Sequence, residues 1–298
     1  QDGVLNINSA TFTLNRSHGD AGVIYNDGNG TLTITRGTFD RNSADKTGGV
    51  LVNNDFGQLT IDESTFSNNS AKTSGGVIFN NSNFSSGPTL SLTIDDSTFN
   101  NNSADRGGAI FNTSFGGLTM TNSTLSSNTA TTNGGGLANF GTATLLNDTL
   151  YLNNAAVGAG IANNIGGTPP FGPATLKNTL VAGSPTGADI DGENFVDGGH
   201  NLIGNIGTVA TFGIVGAPVN GNLVGDSLVA VNPQLDTLRD NGGPTLTHAL
   251  LFGSPARDAG DNFAVTLNDQ RGLNRVTVIT GPGAQPADRV LDRPRPHH

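Results

Sequence analysis

Residues 59–80 read LTIDESTFSNNSAKTSGGVIFN, and residues 92–112 repeat the pattern as LTIDDSTFNNNSADRGGAIFN. Within LTI, Leu59 and Ile61 alternate with Thr60, the period-two signature of a half-buried strand. The alternation recurs at Leu32/Ile34, Leu92/Ile94 and Leu118/Met120. The apolar run is too short, and too rich in β-branched residues, for a helix of about ten residues or more.

Working outward, the closing string appears as GGVLVN (48–53), GGVIFN (75–80), GGAIFN (107–112) and GGGLAN (134–139), with degenerate copies AGVIYN (21–26) and GAGIAN (158–163). Its last asparagines, Asn26, Asn53, Asn80, Asn112, Asn139 and Asn163, are separated by 27, 27, 32, 27 and 24 residues. A step that stays near 27 and varies by insertion is the length of a solenoid coil. The longest step has its surplus in NSNFSSGPTLS (81–91), expected as a protruding loop. A second marker, Phe12, Phe39, Phe66, Phe99, Leu125, Leu150 and Leu180, counts about seven coils.

Stacking such coils sets Phe39, Phe66 and Phe99 above one another at about 4.8 Å. A single coil cannot bury its apolar side, so neighbours bury it, at about 1.5–3 kcal/mol for each large side chain. Asn42, Asn69, Asn102, Asn128 and Asn153 follow the marker by three residues, where the chain leaves a strand. They are either solvated turn residues or an amide ladder; fivefold repetition of one residue type favours the ladder. The paired glycines suit restricted corners.

Composition agrees. The 298 residues include 43 glycines and are only 34% hydrophobic, and the apolar residues are grouped in evenly recurring runs. Cysteine is absent, which excludes disulfides and thiolate metal sites. With 14 basic against 24 acidic side chains and no basic run, nucleic acid is excluded as a partner. No segment reaches the roughly 18 apolar residues of a membrane span. Residue 1 is Gln, which fits a processed or trimmed chain.

The repeats resemble those of right-handed parallel β-helix proteins of bacterial surfaces, including polymorphic outer-membrane-protein-like repeats. HNLIGN (200–205), NLVG (222–225), the run from Asn232 to Asp261 and DQRG (269–272) resemble the terminal module of choice-of-anchor Q domain proteins. After DQRG the chain departs from the DIGAFE-type close of that family, and His297 and His298 read as a frayed tail. The resemblance implies an all-β fold: a right-handed parallel β-helix over residues 1–230 and a C-terminal capping module, a cap-like extension continuous with the helix, over 231–298. It also implies an extracellular or cell-surface bacterial location.

The function expected is non-enzymatic, a structural or adhesion-type solenoid, with carbohydrate or another surface protein as partner. The alternative is a polysaccharide lyase or glycoside hydrolase acting on an extended sugar chain, which needs converging carboxylates on one face. Two acidic groups are candidates. Asp62 and Asp95, followed by Glu63 and Asp96, form a like-charged stack flanked by threonines, read as a calcium site or a solvated face. Asp189, Asp191 and Glu193, near Asp197 and His200, alternate as carboxylates on one side of an extended segment, which suits calcium, or a solvated loop. No other cofactor is expected. His248 has no nucleophile beside it in sequence and reads as a structural histidine. A threonine column at 33, 60, 93, 119 and 144 hints at ice binding, but its neighbouring column is irregular.

Overall fold

One repeat shows the plan of the others: strands Thr31–Thr35, Thr38–Asp40, Ser43–Ala44 and Leu51–Asn54 follow one another around a single coil. The computed structural model describes residues 3–81, 90–166, 171–209, 211–214, 217–261 and 266–275. In them the coils stack into a parallel β-solenoid of about seven turns, with sheets of eight, nine, five and seven strands along its faces. Asn81, Leu90 and Ser91 belong to strands. The rest of the expected insertion loop, 82–89, lies outside the described residues, as do His297 and His298.

Register follows the repeat. Leu59 pairs with Leu32 and Leu92, and Ile61 with Ile34 and Ile94. These side chains point inward and are buried, with the outward Thr60 exposed between them. Phe12, Phe39, Phe66 and Phe99 form the expected column, with ring centroids 4.9, 4.8 and 4.7 Å apart and nearly parallel planes. The spacing is the strand separation of a sheet, imposed on the rings by the backbone.

Polar residues are stacked as regularly as apolar ones. Asn42 donates its amide N–H and its Nδ2 to Asn69 Oδ1, Asn69 does the same to Asn102, Asn102 to Asn128, and Asn128 to Asn153. The amide ladder is therefore present, and its members are buried. The closing asparagines form a second ladder, Asn26 to Asn53, Asn80, Asn112, Asn139 and Asn163, through Nδ2–Oδ1 bonds. A third runs along the corner between the first two sheets: Gly37 N–H donates to Ser64 Oγ, Ser64 to Ser97, Ser97 to Ser123, and Ser123 to Asp148 Oδ1. Buried amides are costly unless bonded, and each ladder bonds one coil to the next.

The same corner carries a left-handed residue in each coil: Arg36, Glu63, Asp96, Asn122, Asn147 and Asn178. That conformation turns the chain sharply from one sheet into the next, and asparagine tolerates it best among non-glycine residues. At the opposite corner, a Cβ on Gly49 would lie 2.0 Å from the carbonyl oxygen of Gly76 in the next coil, so only glycine fits.

The interior is closed by Ile206, Val209 and Phe212, which join the main core, with Phe212 edge-on to Phe195 at 5.9 Å. The described residues beyond Val231 run back along the outside of the solenoid as a strap. Thr245 Oγ1 donates to Asp96 O, Gln270 Nε2 to Ser97 O, and Thr98 Oγ1 to Leu246 O. Farther along, Asn178 Nδ2 donates to Asp261 O. The reason is an outward apolar row, Leu180, Leu202 and Leu223, which water would otherwise cover; Val231, Leu235 and Ala256 pack on it.

Candidate functional site

Asp62 and Asp95 end the paired strands Gln58–Asp62 and Leu90–Asp95, one coil apart and in register. Asp96 follows in the left-handed corner, where φ is 44°. One carboxylate oxygen from each of the three lies within 4.8 Å of the other two, and all three side chains are half-buried. Burial, then the neighbouring Glu63, raises the carboxyl of Asp62; burial, then Asp62, raises that of Asp95. Burial, then Asp95, pushes Asp96 up to about 7. Its Oδ1 is buried without a hydrogen-bond partner. Arg36 reaches Glu63 at 3.5 Å, on the edge of the patch. Crowded carboxylates of this kind share protons or gather a cation, and three would supply part of the roughly six to eight oxygens calcium takes.

The other acidic group is arranged differently. Asp189 is buried, its carboxylate accepting the Ser184 amide and hydroxyl and the Asn205 amide. Burial raises its carboxyl above the usual range despite those bonds. Asp191 is half-buried and caps the Gly192 amide, while Glu193 is exposed. Asp189 is committed to Ser184 and Asn205, and among the described residues the acidic trio close enough to share one ion is Asp62, Asp95 and Asp96. Asp197 serves the turn, accepting from the Gly199 amide and from Asn201, Asn220 and Asn222.

Between strap and solenoid lies a partly open cavity of about 160 Å³. Its floor is the corner of three successive coils, with Asp148, Asn178, Thr179 and Asn201; Leu235, His248, Leu250 and Gln270 of the strap roof it. His248 has the structural role expected of it. Its Nδ1 bonds Asp236 O at 2.7 Å, its Nε2 bonds Ser126 Oγ, and Tyr151 meets it edge-on. Burial lowers its basicity, so the ring is neutral near pH 7. His200 bonds Ala259 O.

Sequence reasoning paired Asp62 with Asp95 but overlooked Asp148. The signal was present: aligned on the strand marker, Ser64, Ser97 and Ser123 give way to Asp148 in NDTL. The strap's hydrogen bonds to the solenoid had no comparable signal, because they join residues 59 to 173 positions apart, each pair once.

Against known families, residues 63–81 and 96–113 match the Chlamydia polymorphic membrane protein repeat. The match spans two repeats, well under half of the chain, and makes these coils similar to that repeat. No curated protein and no solved structure matches the chain. Among the described residues, no helix is long and apolar enough to cross a membrane.

Proposed function

We propose that this chain is a non-enzymatic structural or adhesion-type solenoid of the bacterial cell surface or exterior, offering a rigid polar flank to carbohydrate or to another surface protein. The observation that carries the reading is that the gathered carboxylates stand apart from the cavity, whose own acids are tied up: Asp261 pairs with Lys177, Asp269 with Arg271, and Asp148 is buried. The gathered carboxylates, Asp62, Asp95 and Asp96, are on the outer flank and do not line the cavity, while the cavity's histidines are tied to backbone carbonyls. A hydrolase needs both features in one place. The likeness to the Chlamydia repeat and the resemblance of residues 200–272 to choice-of-anchor Q modules support an exported protein. We further propose that residues 1–230 are the folding unit and 231–298 an extension laid on it.

One observation favours a second reading, a carbohydrate-active enzyme. Asp96, held protonated to about pH 7 beside two more ionisable carboxyls, has the character of a general acid. The trio's oxygens, within 4.8 Å of one another, are too close for the roughly 6.5–9.5 Å of an inverting pair and nearer the roughly 5–5.5 Å of a retaining one. Incubation with a panel of neutral and acidic polysaccharides tests both readings. The scaffold reading expects retention on immobilised glycans or surface proteins with no release of reducing or unsaturated ends. Release that disappears in Asp96→Asn establishes the enzyme instead.

A further inference from the structure

Every sheet of the solenoid ends, on one side, at the first coil. Its strands Val4–Asn8, Thr11–Thr13, Arg16–Ser17 and Ile24–Asn26 are the outermost of their sheets, and among the described residues nothing pairs with their free edges. Leu5, Ile7, Phe12 and Ile24 lie in register with Leu32, Ile34, Phe39 and Leu51, all of them buried. In the first coil the same positions are open on one side: Leu5 is 48% exposed, and Ile7, Phe12 and Ile24 are half-buried. The far end of the interior is closed by Ile206, Val209 and Phe212. An open cross-section with unpaired strand edges is a template for another chain.

The polar ladders specify what fits there. Asn42 Oδ1 accepts the amide N–H of Asn15 at 3.0 Å and its Nδ2 at 2.8 Å, while Asn42 Nδ2 reaches back to Phe12 O. Asn15 is the first rung: it gives its donors to Asn42, and among the described residues its own Oδ1 accepts nothing. Asn26 heads the closing ladder in the same way, donating Nδ2 to Asn53 Oδ1 and accepting nothing. Both ladders therefore end in unfilled acceptors, and an occupant must bring amide donors on parallel strands. A second copy stacked face to face would set acceptor against acceptor and run its strands antiparallel. Stacked head to tail, it would offer an end closed by Phe212, whose outermost strands Thr129–Asn133, Ile190–Gly192, Phe195–Asp197 and Leu223–Val224 stop in different coils.

We propose that the first coil is a docking end for a different chain of the same repeat class, whose open last coil adds in parallel, extends the ring column onto Phe12 and donates asparagine amides to Asn15 and Asn26. Main-chain bonds along the edge supply the affinity, and the apolar and amide positions supply the specificity. This end shares no residue with the Asp62–Asp95–Asp96 patch and does not rest on the adhesive reading. The probe is a labelled peptide of residues 31–42, TLTITRGTFDRN, which carries the apolar, phenylalanine and asparagine positions of one coil in the register of residues 4–15. Fluorescence anisotropy with the full chain should show saturable binding in the micromolar to millimolar range, and the Asn42→Leu form of the peptide should bind about tenfold more weakly. In the chain, Leu5→Lys puts a charge on the open interior and should abolish binding. Asn15→Leu removes the unfilled acceptor but keeps the backbone bond to Asn42, and should weaken binding about tenfold even if the first variant frays. Leu228→Ser, at an exposed position beyond the last solenoid strand, should leave binding unchanged. In sedimentation the chain alone should be monomeric. Absence of saturable binding, binding unchanged in both first-coil variants, or an equal loss in Leu228→Ser overturns the proposal. So does a dimer of the chain alone that Leu5→Lys dissociates, since a second copy would then hold this end.

Discussion

At Asp96 one carboxyl is placed where neighbouring coils put the amides of Asn122 and Asn147, in the same left-handed corner. Its folded pKa of about 7 exceeds the ordinary 3.8, so the native state holds a proton that the unfolded chain releases. The stability this proton confers is complete below about pH 4 and is lost as pH rises through 7. Asp96→Asn retains the conformation and removes the charge. It should add about 1–2 kcal/mol at pH 8, a figure discounted for the half-exposed setting, and almost nothing at pH 3.5. Urea denaturation at the two pH values measures this; a gain independent of pH would place its cause outside ionisation.

Among the elements, the strap is the one the repeats do not generate. Its hold on the solenoid combines hydrogen bonds from Thr245, Gln270 and His248 with apolar cover over Leu180, Leu202 and Leu223. The coils beneath have their own core and three ladders, and so do not require the strap to form sheets. Deleting residues 231–298 should leave a far-UV spectrum dominated by β-structure, lower the melting temperature and expose the leucine row to self-association. Calorimetry and light scattering read both effects. A truncated chain that remains monomeric with an unchanged melting temperature would refute the role given to the strap.

Across the whole molecule, stability is a sum over coil-to-coil interfaces, so position in the stack decides what a substitution costs. Phe66 is fully buried between two rings; Phe12, in the first coil, is half-exposed and among the described residues stacks on Phe39 alone. Phe66→Ala should cost about 3–5 kcal/mol, and Phe12→Ala clearly less. Equal losses in chemical denaturation would contradict a stacked column and indicate one undivided core.

The sequence by itself determined the coil. Alternating Leu-x-Ile, the phenylalanine marker and the recurrent asparagines are local signals repeated at a constant step, so each copy confirms the register of the last, and the amide ladder at Asn42 to Asn153 was legible before any coordinate. Tertiary structure decided what lies outside the repeat. Asp96 joined Asp62 and Asp95 through the left-handed corner, Asp189 was buried against Ser184 and Asn205 while Asp191 lay in the strand Ile190–Gly192 and Glu193 in solvent, and the described part of the extension took its place along the flank. These outcomes depend on contacts made once, between distant residues, by burial of an outward leucine row and pairing of individual polar atoms. Periodicity carries no trace of a contact that occurs only once.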